Sequence, residues 1–286
     1  MGTAPVVLVN HALTGNSNVA GKNGWWKELI GKEKAINTDK YTILAFNIPG
    51  NGFDGFVIND YKSFIAKDVA KLFLIGLKEL KINQLFALIG GSLGGGIGWE
   101  MVVLNPNITQ HFIPVATDWK STDWLIANCQ IQEQFLVNSS NPVHDARMHA
   151  MLCYRTPESF KERFQRSKNE ELEIFNVESW LLHHGKKLQE RYQLSSYKLM
   201  NQLLKTIDVN EIAIPTSKLN LFPPRAMGYG RSRESFKSRV GVEFDPFGAV
   251  ETSSQMTLGL LFNSQRASRL VLHKSLDDSQ LGLEEV

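Results

Sequence analysis

Four short runs of the chain are apolar at nearly every position. They are Val6-Val7-Leu8-Val9, Tyr41-Thr42-Ile43-Leu44-Ala45-Phe46, Leu85-Phe86-Ala87-Leu88-Ile89 and His111-Phe112-Ile113-Pro114-Val115-Ala116. Continuous rather than alternating apolar runs fit strands covered on both faces. Between the second and third runs, Phe64, Ile65, Val69, Leu72, Phe73, Leu77 and Leu80 recur at helical spacing. That spacing predicts a helix over residues 61–80, ended by Asn83. Strand, crossover helix, strand is the βαβ unit of a parallel sheet. Residues 24–30, with Trp25 and Trp26, read as a short helix. From about residue 122 to 206 the pattern changes: helix formers dominate and no strand is apparent. Thr156-Pro157-Glu158-Ser159 opens a helix with Pro in its first turn and a capping-box spacing. Residues 177–184 and 195–207 read as two more.

The third apolar run leads into Gly90-Gly91-Ser92-Leu93-Gly94-Gly95-Gly96. Gly90, Ser92 and Gly94 match G-x-S-x-G, a strand–turn–helix motif that lifts a nucleophilic serine above the sheet. The turn is strained and flanking side chains would clash there, which explains the glycines. The following helix, from about Gly96, directs its positive N-terminal end at the serine, and the Leu93 amide is placed to donate to an oxyanion. In the α/β-hydrolase arrangement the loop after the first run supplies the second donor. That loop is Asn10-His11-Ala12-Leu13-Thr14-Gly15, and Leu13 is its candidate amide. His11 reads as a residue that orients backbone rather than as the catalytic base. Asn47-Ile48-Pro49-Gly50-Asn51-Gly52 is a turn-rich loop expected to line the site.

The expected fold class is therefore α/β: an α/β-hydrolase fold, with a mostly parallel sheet and an inserted helical lid. Residues 1–121 form the first part of the core and 122–208 the lid. Residues 209–286 are the end of the core or a divergent tail. Lids exclude water and shape a substrate pocket. The chain has 286 residues, 43% hydrophobic and 21% charged, enough for one large domain with an insertion. A net charge of +2 gives no argument for nucleic acid or a membrane surface. Cys129 and Cys153 have no metal-site spacing and form no disulfide framework. No metal and no cofactor is expected. The N-terminal residues lack a signal peptide's pattern and no apolar run is long enough to span a bilayer, so the expected location is the cytoplasm.

Several motifs go beyond the elbow. His11-Ala12-Leu13-Thr14-Gly15, the elbow from Gly90 to Gly95, Ala146-Arg147-Met148 with Tyr154-Arg155, Val177-Glu178-Ser179-Trp180-Leu181 and Ser196-Tyr197 occur in that order. Together they resemble the homoserine O-acetyltransferase family of α/β-hydrolase-fold enzymes over roughly residues 4 to 208. The resemblance implies ping-pong acyl transfer. Ser92 would take an acetyl group from acetyl-CoA, a co-substrate, and pass it to the hydroxyl of L-homoserine. The product feeds methionine synthesis. Arg147 falls where the family binds the amino acid, and a guanidinium suits a carboxylate. The resemblance also implies a homodimer built through the lid.

Two parts of the family pattern are missing. Its triad aspartate precedes a stretch like Leu221-Phe222-Pro223-Pro224, but Leu219 holds that position here. Its G-H-D histidine motif has no counterpart. His273, after Arg269-Leu270-Val271-Leu272, is the candidate base. The family also has strands ahead of the position of Val6. The expectation is a fragment whose C-terminal portion is out of frame or replaced. Two other functions stay open at this stage: a serine hydrolase such as an esterase, and a non-catalytic homologue.

Overall fold

The structure is a computed structural model and describes residues 4–209. Strand β1, Val6–Asn10, leads to two two-residue strands, β2 (Ile30–Gly31) and β3 (Ile36–Asn37), which pair with each other. Then come β4 (Thr42–Leu44), helix α1 (Ala66–Glu79), β5 (Leu85–Gly91), α2 (Leu93–Leu104) and β6 (Thr109–Val115). The four longer strands form one parallel sheet in the order β4-β1-β5-β6.

Side chains alternate across this sheet as the pleat requires. Leu8, Leu88 and Phe112 face a core shared with α1 and α2. Val7, Val9, Ala87, Ile89 and Ile113 face a second core with Trp26, Leu29, Ile30 and Tyr41. Both faces are therefore covered, which is why the strands read as unbroken apolar runs. Helix α2 lies between the sheet and its neighbours and is buried from Leu93 to Val102. Trp99, fully buried, packs edge-on to Phe112 at 4.9 Å.

From the end of β6 to residue 209 the chain is mainly helical. It runs through α3 (Asp123–Asn138), α4 (Pro142–Cys153) and α5 (Pro157–Phe164) to an antiparallel pair, β7 (Lys168–Asn169) and β8 (Ile174–Phe175). Helices α6 (Asn176–Gln189) and α7 (Leu194–Lys205) follow. The α5 N-terminus is capped by Thr156, whose hydroxyl accepts the Ser159 N–H, with Pro157 in the first turn.

Four expectations need correction. Residues 25–29 form turns that lead into β2, not a helix, because the amides of Trp25 and Trp26 bond to the carbonyls of Asn18 and Val19. The helix expected over 61–80 is interrupted: a 3-10 turn at Tyr61–Ser63 precedes α1, which begins at Ala66. The helix after the elbow begins at Leu93, directly behind the serine, rather than near Gly96. The β7–β8 pair lies in a region expected to hold no strand. Leu219, the Leu221–Pro224 stretch and His273 lie outside the described residues.

Candidate active site

Ser92 directly follows β5 and caps α2 with φ 51° and ψ −120°. Such a backbone is sparsely populated for a residue with a side chain and stores local strain. The surroundings hold it there. The Ser92 N–H donates to the Val115 carbonyl at 2.8 Å, tying the turn to β6. The Ser92 carbonyl accepts from Gly95 and Gly96 at 2.9 and 3.0 Å, starting α2. A Cβ on Gly90 would stand 2.4 Å from the Gly94 carbonyl oxygen, so the turn closes only without it. The first amides of a helix have no partner within it, so the Leu93 N–H at the head of α2 belongs to the helix's donor end.

The sheet brings the second loop alongside. Asn10, the last residue of β1, is in register with Gly90, one residue before the end of β5. The Asn10 Nδ2 donates to the Gly94 carbonyl at 3.2 Å, joining the end of β1 to the first turn of α2.

His11, fully buried, organises this loop from within. Its Nδ1 donates to the Ala12 carbonyl at 2.8 Å, and its bare Nε2 accepts the Ile48 N–H at 3.0 Å. Burial lowers its pKa from 6.5 to about 4, so the ring is neutral and locked in one tautomer. The Ala12 carbonyl also accepts the Gly15 N–H at 2.8 Å. In a trans peptide the N–H points opposite to the carbonyl. These two bonds to Ala12 therefore fix the direction of the Leu13 N–H, the donor expected from the sequence.

Asn51 supports the loop from the other side. Its Nδ2 reaches the Gly15 carbonyl at 3.4 Å and the Asn47 Oδ1 at 2.7 Å, and its Oδ1 accepts the Phe53 N–H. The turn-rich loop thus touches the site through Asn51, a residue no local motif singles out.

Arg147 lies on α4, its guanidinium 5.5 Å from the centre of the Tyr154 ring and bonded to that hydroxyl. Its charge is felt by His184, Arg191 and Tyr197. Neither Arg147 nor Arg191 pairs with a carboxylate among the described residues. Burial, helped by the Arg147 charge, lowers the Arg191 pKa.

The other described histidines are engaged away from Ser92. His111 sits in β6 with its ring edge-on to Phe86, His144 bonds Asp145 at 2.8 Å, and His149 meets the Gln132 amide. His184 packs on Trp180 at 4.5 Å, with His183 beside it. An open cavity of about 450 Å³ near Arg163, Trp180 and His183 does not include Ser92. Among the described residues no group of three or more His, Cys, Asp or Glu could hold a metal ion, and no helix is long and apolar enough to cross a membrane.

Comparison with known proteins bears on the family and the fold. A family model described as alpha/beta hydrolase fold matches residues 5–135. A homoserine O-acetyltransferase of Trichormus variabilis is 31% identical over 229 residues, covering 71% of this chain and 63% of that protein. One from Moorella thermoacetica is 30% identical over 271 residues, covering 80% of this chain and 72% of that protein. The chain thus spans under two thirds of the first of these relatives. The solved homoserine O-acetyltransferase of Staphylococcus aureus aligns with a TM-score of 0.61 at 26% identity, covering 73% of this chain and 64% of that one. Esterase E22 aligns at 0.63 with 16% identity over 94% of this chain and 90% of its own, a likeness of fold alone.

Proposed function

Because the chain belongs to the homoserine O-acetyltransferase family of the α/β-hydrolase fold, we propose that it moves an acetyl group from acetyl-CoA to the hydroxyl of L-homoserine through an acyl-Ser92 intermediate. The observation that carries this reading is the strained Ser92 cap set beside the Ala12–Gly15 loop. In the first half-reaction the Ser92 Oγ bonds the thioester carbonyl carbon, the C–S bond breaks and CoA leaves as the thiol. In the second the homoserine hydroxyl takes the acyl group and Ser92 recovers its proton. Both tetrahedral intermediates place their negative oxygen between the Leu93 and Leu13 amides.

Arg147 receives the carboxylate of the amino acid. Its freedom from any carboxylate among the described residues supports this role, since a half-buried guanidinium gains most from a partner that arrives with the substrate. The helical segment after β6 acts as the lid, and the base is His273. Two copies of the chain would associate through that segment.

The test is release of free CoA from acetyl-CoA in the presence of L-homoserine. Wild type turns over, and Ser92→Ala falls by about four orders of magnitude or more. Acetate released at the same rate without homoserine would identify an esterase instead. A folded wild type without turnover would reject both and identify a non-catalytic homologue.

A further inference from the structure

The loop from Ala12 to Gly15 has an unusual accounting of its carbonyls: each of the four accepts a hydrogen bond. Ala12 accepts from His11 and Gly15, and Gly15 from Asn51. The two between them are held from the helical segment. The Tyr192 hydroxyl donates to the Leu13 carbonyl at 2.7 Å, and an Arg191 Nη donates to the Thr14 carbonyl at 3.2 Å. These two donors are neighbours in the turn between α6 and α7, nearly 180 residues along the chain from their acceptors.

We propose that Tyr192 and Arg191 are positioning residues for the oxyanion loop, holding the carbonyl dipoles of Leu13 and Thr14 turned away from Ser92 so that only N–H groups face the reacting oxygen. The inference rests on the acyl-Ser92 reading above and names residues that no motif assigned. A peptide has two ends of opposite sign. If the Leu13–Thr14 peptide turned over, a carbonyl oxygen would face the developing oxyanion and repel it. His11 and Gly15 fix the peptide before it, and Asn51 fixes the residue after. Among the described residues, Tyr192 and Arg191 alone hold the middle.

Both are built to do so. Tyr192 is 8% exposed. Its own N–H donates to Leu188 at 2.9 Å, and its ring packs edge-on to Tyr197 at 6.0 Å. Burial raises the phenol pKa, so the hydroxyl keeps its proton and remains a donor. The Arg191 bond is charge-assisted, and so stronger than one between neutral groups, although the side chain is exposed. The consequence is a mechanical link: the catalytic loop is in order only when the α6–α7 turn is seated on it.

The experiment uses the full chain as wild type, Tyr192→Phe, Arg191→Met and Arg191→Lys. Two quantities are read: amide hydrogen exchange in peptides covering residues 11–16, and the rate of Ser92 acylation by p-nitrophenyl acetate, followed as p-nitrophenolate with Ser92→Ala as background. Tyr192→Phe keeps the ring and removes only the donor. It is expected to speed exchange in 11–16 at least about fivefold, with the rest of the sheet unchanged, and to lower the acylation kcat about tenfold with KM within about twofold. Arg191→Met shows the same split, and Arg191→Lys recovers part of it. Unchanged exchange in both Tyr192→Phe and Arg191→Met overturns the clamp. Faster exchange with unchanged acylation overturns its role in the reaction. If wild-type Ser92 does not acylate at all, the acyltransferase reading falls, and exchange alone then decides whether the loop is held as described.

Discussion

Gly94 lies against the end of β1 so closely that a Cβ on it would stand 2.4 Å from the carbonyl oxygen of Asn10 and 2.5 Å from that of His11. Both obstacles are backbone: Asn10 ends β1 and His11 begins the loop that follows it. Gly94→Ala must therefore push β1 and α2 apart. The expected cost is about 2–3 kcal/mol, read as a lower urea midpoint, together with loss of acylation. Gly21→Ala is the control. That glycine has φ +74° but open space around it, so only the left-handed backbone is penalised, by about 1 kcal/mol.

The strain at Ser92 has a measurable release. Glycine accepts a positive φ without penalty, whereas alanine keeps the Cβ and with it the strain. Ser92→Gly is expected to be more stable than Ser92→Ala by about 1 kcal/mol in urea denaturation, although neither carries a nucleophile. Equal stabilities would mean that the turn is not strained.

His11 makes stability depend on pH with a definite sign. Above its unfolded pKa of 6.5 the ring is neutral in both states, and folding carries no protonation penalty. Between 6.5 and about 4 the unfolded chain binds a proton that the buried ring refuses. Stability then falls as pH falls, by up to about 1.4 kcal/mol per pH unit, and the loss levels off once the folded ring titrates. His184, lowered to about 4 chiefly by burial and then by Arg147, contributes in the same direction. His11→Gln is expected to be less stable at neutral pH, through the lost ring bonds, and to show a shallower acid slope by about one proton. Urea titrations at several pH values between about 4 and 7.5 measure both.

Arg147→Lys keeps the charge but loses the paired N–H groups that match a carboxylate. If Arg147 binds the amino acid, KM for L-homoserine rises about tenfold or more, while KM for acetyl-CoA and the rate of Ser92 acylation without acceptor stay within about twofold. Arg147→Ala deepens the first effect and leaves the second unchanged. Steady-state kinetics with either substrate varied separates the two.

What the sequence made legible follows from how far each signal reaches. β1, β5 and β6 are strands buried on both faces, so each shows as a continuous apolar run. The Gly90-to-Gly96 pattern is legible because the clashes it avoids lie within a few residues, such as Gly90 against Gly94. Residues 24–30 misled because seven residues are too few to nucleate a helix unaided, and amide bonds back to Asn18 and Val19 prevailed. The two-residue strands β7 and β8 fall below any periodic pattern. Tyr192 and Arg191 were illegible for another reason: each meets its acceptor at a separation of 177 or more positions, and a tyrosine next to an arginine at a helix end carries no motif.

The pairing of Asn10 with Gly90 acts as a ruler. The two proposed donors belong to loops about 80 residues apart in sequence, yet their spacing is set by which residue of β1 lies opposite which residue of β5. Sliding one strand by a single position would move its loop by about 3.3 Å and turn every side chain of that strand to the opposite face. Lengthening the chain beyond Gly15, outside the ruled interval, leaves the gauge intact. Removing one residue inside Val6–Asn10 changes it, so a one-residue deletion in the strand should be far more damaging than an insertion of several residues after the loop.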